Sequence, residues 1–320
     1  MSRTLPELLP GDASASPRRS ARRQWLDRSS VVLAAFSIAL LSATAPDAFA
    51  ARHKDLRSDR LYVANGGSGT VSVIDTRTNA VVGAPIHVGK RPAGVAVDSV
   101  RGRAYVANSG SDTVSVINTK TKKVVGSPIR VGKGPAGVAV DSVRGRAYVA
   151  NSGSYAVSVI NTRTNKVVGP SIPVGNPLGV AMDSVRGRAY VTNGVSKSVS
   201  VIDTHTNAVV GSPIPVGGLP AGVAVDSLRG RAYVTNSDSN TVSLINTRTK
   251  AAVGSPIPVR YGPAWVATDA LRGRAYVANS GSDSVSVIDT RTNAVVGSPI
   301  PVGNAPAGVA LGRSLRPAKH

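Results

Sequence analysis

The sequence predicts an all-β chain that folds as a six-bladed β-propeller of four-stranded blades. The first observation is an internal repeat, because Tyr-Val-Ala/Thr-Asn occurs six times at intervals of 42 or 43 residues. A period of about 40–45 residues is typical of propeller blades. The second observation is composition, since 42% of residues are hydrophobic but only 4% are aromatic, which favours strands of small branched side chains. The six copies place their tyrosine at Tyr62, Tyr105, Tyr148, Tyr190, Tyr233 and Tyr276.

Each copy contains four predicted strands, called a, b, c and d, separated by turn residues. In the second copy, strand a is the apolar run Pro92–Asp98 and strand b is Arg103–Asn108. Strand c alternates Val and Ser over Thr113–Asn118, and strand d covers Lys123–Val131. Arg-Gly, Ser-Gly-Ser and Thr-Lys-Thr-Lys separate these strands, and Gly-Lys-Gly-Pro leads to the next copy. The pattern predicts an antiparallel four-stranded meander in every blade.

The two ends of the repeat array are complementary. The first copy begins at a strand b, Leu61–Asn65, and the last segment, Pro306–Leu311, has the sequence of a strand a. Pairing of this C-terminal strand into the first blade would complete that blade and remove the exposed edges of an open stack. The sequence therefore predicts a closed ring.

The N-terminal segment has the pattern of an export signal. Arg22 and Arg23 precede an uncharged stretch from Ser29 to Pro46, and Ala48-Phe49-Ala50 fits a cleavage site of small residues. The arginine pair resembles a twin-arginine signal. The apolar core is shorter than the roughly 20 residues of a spanning helix, so we expect cleavage, with an uncleaved anchor as the alternative.

These patterns divide the chain into four segments and predict an exported protein, either secreted or held at the cell surface or in the periplasm. After signal cleavage no integral membrane span is expected, and the ring is expected to be a monomer. The segments are a signal peptide (1–50), a short lead (51–56), the propeller (57–312) and a basic tail (313–320).

Several segments resemble the YVTN family of β-propeller repeats. They are Tyr-Val-Ala-Asn or Tyr-Val-Thr-Asn, Val-Ser-Val-Ile-Asp-Thr and Pro-Ala-Gly-Val-Ala-Val-Asp, and the resemblance covers residues 57–312. That family occurs in archaeal surface-layer proteins and in exported bacterial proteins, so the resemblance implies an extracytoplasmic binding or surface role. It implies no fixed chemistry, and the catalytic residues of related lactonases and of a streptogramin lyase match no position of this sequence.

Comparison of the six copies separates positions that serve every blade from positions that differ. An Asp closes strand a in five copies, and the sixth, which no a–b turn follows, has Gly312; this indicates a turn cap rather than a metal ligand. After strand c, Asp and Asn exchange freely, which indicates an Asx-turn that needs only a side-chain oxygen. The repeated tyrosine is expected to pack between blades.

The inventory of reactive residues disfavours catalysis. Residues 51–320 contain no Glu and no Cys, and the four histidines His53, His87, His205 and His320 are scattered. Strand a, expected to line the central channel, offers mainly Gly, Ala and Val. We therefore predict no catalytic residue, no cofactor and no metal site.

Basic residues are expected to concentrate on one face of the ring. The chain has 38 Lys and Arg against 17 Asp and Glu. In an up-and-down blade the a–b and c–d turns emerge on one face, here called the basic face, and five a–b turns have the sequence Arg-Gly-Arg. Their guanidinium groups are candidates for binding an anionic polymer, either a cell-wall polyanion or nucleic acid without sequence specificity. Lipid headgroups fit as well, and a merely solubilising surface is the alternative. These arginines are Arg101, Arg103, Arg144, Arg146, Arg186, Arg188, Arg229, Arg231, Arg272 and Arg274.

The opposite face, formed by the b–c and d–a loops and here called the variable face, is where the copies diverge. Tyr261 and Trp265 are notable, because Trp265 replaces a Gly found in the other five strands a and is expected near the channel mouth. A gap-filling tryptophan is the alternative. The candidates for contact with a partner or ligand are Lys90, Arg91, Tyr155, Lys197, Arg260, Tyr261 and Trp265.

The sequence thus favours a secreted, non-catalytic scaffold that binds a protein partner or an anionic polymer at the cell surface. Two alternatives remain open. One is a small-molecule hydrolase or lyase, similar to a lactonase, acting at the channel mouth. The other is a structural element of a surface layer, although a net charge of +21 opposes close packing without counter-ions.

Overall fold

The computed structural model describes residues 60–75 and 80–306, which form six small antiparallel sheets arranged as the blades of a propeller. The predicted all-β fold and the number of blades are confirmed. Blade 1 holds strands b to d of the first copy, and blades 2 to 6 each begin with a strand a. Within the described residues no helix has the length and apolar character needed to cross a membrane.

The strands a of successive blades lie side by side and line the central channel. Their Val and Ala residues are buried or half-buried there, since the strands pack against one another around the channel. The bounds predicted for the second copy are confirmed. The five described strands a are Pro92–Asp98, Pro135–Asp141, Pro177–Asp183, Pro220–Asp226 and Pro263–Asp269.

Strands b and c pair along their full length in every blade and form its centre. The first strand b begins one residue earlier than predicted. The strands b are Arg60–Asn65, Arg103–Asn108, Arg146–Asn151, Arg188–Asn193, Arg231–Asn236 and Arg274–Asn279. The strands c are Thr70–Asp75, Thr113–Asn118, Ala156–Asn161, Ser198–Asp203, Thr241–Asn246 and Ser284–Asp289, and a 3-10 turn, Ser152–Ser154, precedes the third of these.

Strand d is not continuous, which corrects the prediction of one strand over Lys123–Val131. It forms two short pieces that pair with opposite ends of strand c. The residues between them include Gly126, with a left-handed φ of +68°, and Pro128, which has no N–H to donate. The pieces are Ala80–Val81 and Ile86–His87, Lys123–Val124 and Ile129–Arg130, Lys166–Val167 and Ile172–Pro173, Ala208–Val209 and Ile214–Pro215, Ala251–Ala252 and Ile257–Pro258, and Ala294–Val295 and Ile300–Pro301.

The hydrophobic core lies between blades rather than within them. One cluster joins Tyr62 and Val73 of blade 1 to Val95, Ala104 and Val106 of blade 2, and equivalent clusters occupy the following junctions. The sheets of blades 2 to 5 therefore bury both faces against their neighbours, which is how a blade too small to be stable alone is stabilised.

Several sequence predictions fall outside the described residues. They are the signal peptide (1–50), the lead (51–56), all of the closing strand except Pro306, and the basic tail (313–320).

Candidate functional site

The first arginine of each Arg-Gly-Arg turn joins two blades. Arg101 donates from Nη1 to Oδ2 of Asp98 (3.1 Å) in its own blade and to the carbonyl of Ser142 (2.9 Å) in the next. The Asp98 side chain is fully buried, and its other oxygen accepts the backbone N–H of Arg101 at 3.2 Å. The same contacts recur around Arg144, Arg186 and Arg229. The predicted turn cap is thereby confirmed, with an ion pair added to it.

The glycine of the Arg-Gly-Arg turn makes room for the arginine of the preceding blade. Gly145 has φ +67°, and a Cβ placed there would lie 2.9 Å from Nη2 of Arg101. At Gly187 and Gly273 a Cβ would lie 3.0 and 3.1 Å from Nη2 of Arg144 and Arg229. The motif therefore recurs as a unit because the arginine of one copy packs on the glycine of the next.

The second arginine and the repeated tyrosine reach the c–d turn of the following blade. Arg103 Nη1 donates to the Thr162 carbonyl (3.2 Å) and to Asn165 Oδ1 (2.9 Å). The Tyr105 hydroxyl donates to the same two groups at 3.1 and 3.0 Å. At the equivalent arginines of blades 3 to 5, Nη1 is buried without a hydrogen-bond partner among the described residues; these are Arg146, Arg188 and Arg231.

Five of the six repeated tyrosines are buried, as predicted, and Tyr276 is half-buried. Tyr105, Tyr148, Tyr190 and Tyr233 have no exposed surface. Burial raises the pKa of the Tyr148, Tyr190 and Tyr233 hydroxyls to about 12. These hydroxyls therefore stay protonated over the ordinary pH range and can donate hydrogen bonds across the junctions.

Nine of the ten arginines proposed to bind a polyanion are half-buried, and Arg272, whose side chain is 72% exposed, is the exception. Arg274 donates to Asp289 in its own blade. Polyanion binding by these arginines remains a prediction, and the structure gives several of them a role in joining blades that sequence reasoning missed. The sequence did carry a signal for this role, because Asp, Arg and Gly recur at a fixed spacing in five turns.

The c–d turns are Asx-turns, as predicted. Oδ1 of Asn118 accepts the N–H groups of Lys120 and Thr121 at 2.9 and 3.0 Å. The same bonds are made by Asn161, Asp203, Asn246 and Asp289. The turns present exposed cations outward, namely Lys120, Lys123, Arg163, Lys166, Arg248 and Arg291.

His205 occupies the position that other c–d turns give to Lys or Arg. Its Nε2 lies 3.1 Å from Nη2 of Arg144, and its Nδ1 lies 3.4 Å from Asp203 Oδ1. The pKa of the Asp203 carboxyl is lowered, and the largest cause is the hydrogen bond that it accepts from the His205 backbone N–H. Over residues 60–75 and 80–306 no three His, Cys, Asp or Glu residues converge in a way that could hold a metal ion.

An aliphatic ring that sequence reasoning missed surrounds the channel mouth on the basic face. The residue before each Arg-Gly-Arg is Val or Leu, and all five side chains are between 55% and 74% exposed. We call this ring the collar, and it consists of Val100, Val143, Val185, Leu228 and Leu271. A signal was present in the five-fold recurrence of an aliphatic residue in a turn, where polar residues are usual.

The channel beside the collar contains a cavity of about 250 Å³. Val and Ala of strands a, Met182 and Trp265 form its walls, and Ser99, Ser142 and Ser184 lie at its collar end. Trp265 is half-buried and forms part of the channel wall. Its role as a ligand contact on the variable face remains a prediction.

On the variable face, the side chains of Lys90, Arg91, Tyr155, Lys197, Arg260 and Tyr261 are exposed. The Tyr261 ring lies over Gly281, where an added Cβ would clash with the ring. Tyr155 is 57% exposed and has φ +54°, and Lys197 has φ +49°. A positive φ is uncommon for any residue except Gly, Asn or Asp and is strained for a bulky one.

The loop position of Tyr155 and Lys197 holds Asp or Asn in three other blades. There Asp112, Asn240 and Asp283 accept the backbone N–H of a residue in the following d–a loop, at 2.8, 2.9 and 2.6 Å. Blades 3 and 4 forgo that bond and present an aromatic and a cationic side chain instead. Blade 1 has Gly69 at this position, so among the described blades only blades 3 and 4 place a large side chain there.

Aliphatic side chains lie close to the b–c loop that contains Lys197. A Cβ on Gly194 would lie 3.0 Å from Leu178 Cδ1 and 3.4 Å from Leu219 Cδ1, and the adjacent Val195 is 74% exposed. In the five other copies Ala stands at the position of Leu178. The sequence comparison could have found this substitution, but not that Leu178 and Leu219 both lie close to Gly194.

The chain matches no family model and no curated protein. Among solved structures, it is similar to hydrazine synthase of Kuenenia stuttgartiensis, with a TM-score of 0.54 and 19% identity over 88% of this chain and 99% of that one. The fold is shared. It is also similar to U3-55K (TM-score 0.66, 12% identity, 78% and 80% covered) and to the dihydro-heme d1 dehydrogenase NirN (0.57, 16%, 74% and 53%). The chain spans about half of the length of the NirN chain, and at such identities the likeness establishes the propeller fold alone.

Proposed function

We propose that this protein is an exported, non-catalytic scaffold of the YVTN repeat type that binds a protein partner through its variable face. The observation that carries the proposal is the pair Tyr155 and Lys197, which replace backbone-capping Asp or Asn and leave an exposed aromatic and an exposed cation in strained loop positions. Strained, exposed residues on rigid loops are typical of binding surfaces.

The loop backbone is held in place beneath these side chains. The Tyr155 and Lys197 carbonyls accept the N–H groups of Val174 and Val216 at 3.0 and 2.9 Å. A rigid loop loses little conformational entropy on binding, which favours affinity. Tyr and Arg, also present here as Tyr261 and Arg260, are the side chains enriched in protein interfaces.

The non-catalytic part of the proposal is supported by the chemistry of the channel, whose walls are mainly Val and Ala with Met182 and Trp265. The described lining residues also supply hydroxyl groups, but they include no His, Asp or Lys that could activate one; the hydroxyl-bearing residues are Ser99, Ser142, Ser184, Ser227 and Thr268. Export is supported by the sequence pattern of residues 1–50.

Site-specific photocrosslinking in the cells that make the protein tests the proposal. A photoreactive amino acid at position 155 or 261 is expected to give one discrete protein adduct. The matched control is position 209, where Val is exposed on an outer strand d. Adding Lys197→Ser and Arg260→Ser is expected to lower the yield of the adduct about fivefold, which corresponds to a loss of about 1 kcal/mol of binding free energy. Equal labelling from position 209, or no adduct from 155 and 261, would contradict the proposal.

A further inference from the structure

The collar has no packing explanation within the ring. Its five side chains are more than half exposed, so they contribute little to the core, yet every described a–b turn retains an aliphatic residue there. Exposed single aliphatic residues are ordinary, but a repeated apolar group around one opening marks an interaction surface.

The collar side chains share one level on the basic face. They occupy the same turn position in successive blades of one ring, and Val100 and Val143 lie at the mouth of the channel cavity. Equivalent positions in a ring of near-identical repeats lie at a common height along its axis. The collar therefore offers a level apolar rim rather than a single deep pocket.

The charges around the collar are positive. Four carboxylates of this face, those of Asp98, Asp141, Asp183 and Asp226, are fully buried beneath their arginine partners. The side chains of Asp203, Asp269 and Asp289 keep 26%, 13% and 15% of their surface exposed, and each lies within ion-pair distance of a basic side chain. The exposed groups further out are the cations of the c–d turns. The collar and the cations around it are therefore complementary to a surface that has anionic groups at its outer level and apolar groups beneath them.

At one blade junction two guanidinium groups converge. A Cβ on Gly273 would lie 3.1 Å from Arg229 Nη2 and 3.3 Å from Arg291 Nε. Arg229 uses Nη1 for Asp226 and for the Ala270 carbonyl, so its Nη2 edge is turned to the junction. Paired guanidinium edges of this kind suit the oxygens of a phosphate.

We propose that the basic face docks on an anionic lipid bilayer, with the collar among the headgroups and the surrounding cations against lipid phosphates. A bilayer is favoured over a protein because the apolar groups lie at one level and the cations encircle them, which matches a plane better than a protruding segment. Membrane association of this kind depends on the apolar area inserted together with attraction of Lys and Arg to anionic lipid.

The test uses the full chain with a single cysteine, because the natural sequence has none. An environment-sensitive fluorophore is attached at Val143→Cys or Leu228→Cys in the collar, or at Val209→Cys on an outer strand d as control. Vesicles of phosphatidylcholine with and without about 30 mol % phosphatidylglycerol supply the surface. The comparison between label positions is needed because the apolar stretch 29–46 can bind the chain to a vesicle by itself. Only a label at the collar reports that the collar contacts the lipid.

With anionic vesicles, the collar labels are expected to increase severalfold in emission and to become accessible to a quencher attached to lipid, while the label at 209 stays in water. Changing the other four collar residues to Ser is expected to weaken this response at least about tenfold. The control, Ser at Val81, Val124, Val167 and Val295 of the outer strands, leaves the response unchanged.

Collar labels that remain in water while the chain is bound, or a chain that does not bind, would overturn the proposal and leave the collar to a protein partner. An equal response to pure phosphatidylcholine would overturn the role of the cations. Crosslinking at positions 155 and 261 is independent of these outcomes, so the two proposals fail separately.

Discussion

The two faces of the ring use the same repeat in opposite ways. On the basic face, polar side chains bond from one blade to the next, as Arg101 does to the Ser142 carbonyl and Tyr105 to the Thr162 carbonyl. On the variable face, hydrogen bonds such as that from the Gly134 N–H to Asp112 fix the loop backbone. Side chains that face solvent there are thus free to differ. Inter-blade hydrogen bonds also occur at the variable-face end of the blades, as from the Ser237 hydroxyl to the Pro263 carbonyl, but the side chains that diverge there point to solvent. The repeat sequence is therefore constrained where side chains join copies and divergent where side chains are exposed.

The largest expected effect of this difference is on stability at high pH. Burial raises the pKa of Tyr148, Tyr190 and Tyr233 to about 12, whereas an unfolded tyrosine ionises near pH 10. Between these values the unfolded chain loses protons that the folded chain keeps, so stability is fully present below about pH 10 and is lost as pH rises toward about 12. Three groups acting together should reduce the free energy of unfolding by several kcal/mol.

Urea unfolding at pH 8 to 12 measures this loss. The triple variant Tyr148→Phe, Tyr190→Phe and Tyr233→Phe is the control, since it should start less stable at pH 8 by about 1 kcal/mol per hydrogen bond but lose less between pH 10 and 12. An identical pH profile for the two proteins would show that these hydroxyls do not link the blades.

A second prediction concerns the buried carboxylate at a junction. Asp183 caps its own turn, pairs with Arg186 at 3.1 Å and accepts the Ser227 hydroxyl of the next blade at 3.1 Å. Asp183→Ala leaves a half-buried guanidinium without its counter-charge and should cost about 3 kcal/mol. The unfolding midpoint in urea measures it.

The matched control is Asp238→Ala on the variable face, where the side chain is exposed. It should change stability by less than about 0.5 kcal/mol. Similar losses from the two variants would remove the distinction between the faces.

The fold was predictable to a greater depth than the site, for a physical reason. The positions of strands a, b and c follow from local alternation and turn residues, and their bounds in the second copy agree with the structure. The interruption of strand d depends on Gly126 and Pro128. Both lie within Lys123–Val131, which the sequence pattern presented as one continuous strand. The partner of Arg101 is about forty residues away, so only the relative placement of two blades shows that the guanidinium joins them.

A third prediction has the opposite sign. Tyr155 is held at φ +54°, where the equivalent position of blade 5 has Asn240 at φ +56°. Tyr155→Asn should therefore stabilise the protein by about 0.5–1 kcal/mol while weakening partner binding, as expected of a residue kept for contact rather than for packing. Thermal unfolding measures the gain. Tyr155→Phe keeps the strained backbone and should leave stability unchanged, and a gain from both variants would contradict the role of strain.

The smallest expected effect on stability per substituted site belongs to the exposed cations of the basic face, and their substitution tests polyanion binding. Substituting Ser for Lys120, Lys123, Arg163, Lys166, Arg248 and Arg291 leaves every inter-blade arginine in place, so stability should change little, by about 0.5 kcal/mol for each exposed site at most. Binding to polyphosphate or to mixed-sequence duplex DNA should weaken, and the slope of log K against log salt should fall by about one for each phosphate that is no longer neutralised. The matched variant changes Lys90, Arg91, Lys133, Lys197 and Arg260 of the variable face to Ser. If that variant, and not the first, loses binding, the anionic polymer lies on the face that we assign to a protein partner, and the division of roles between the two faces is reversed.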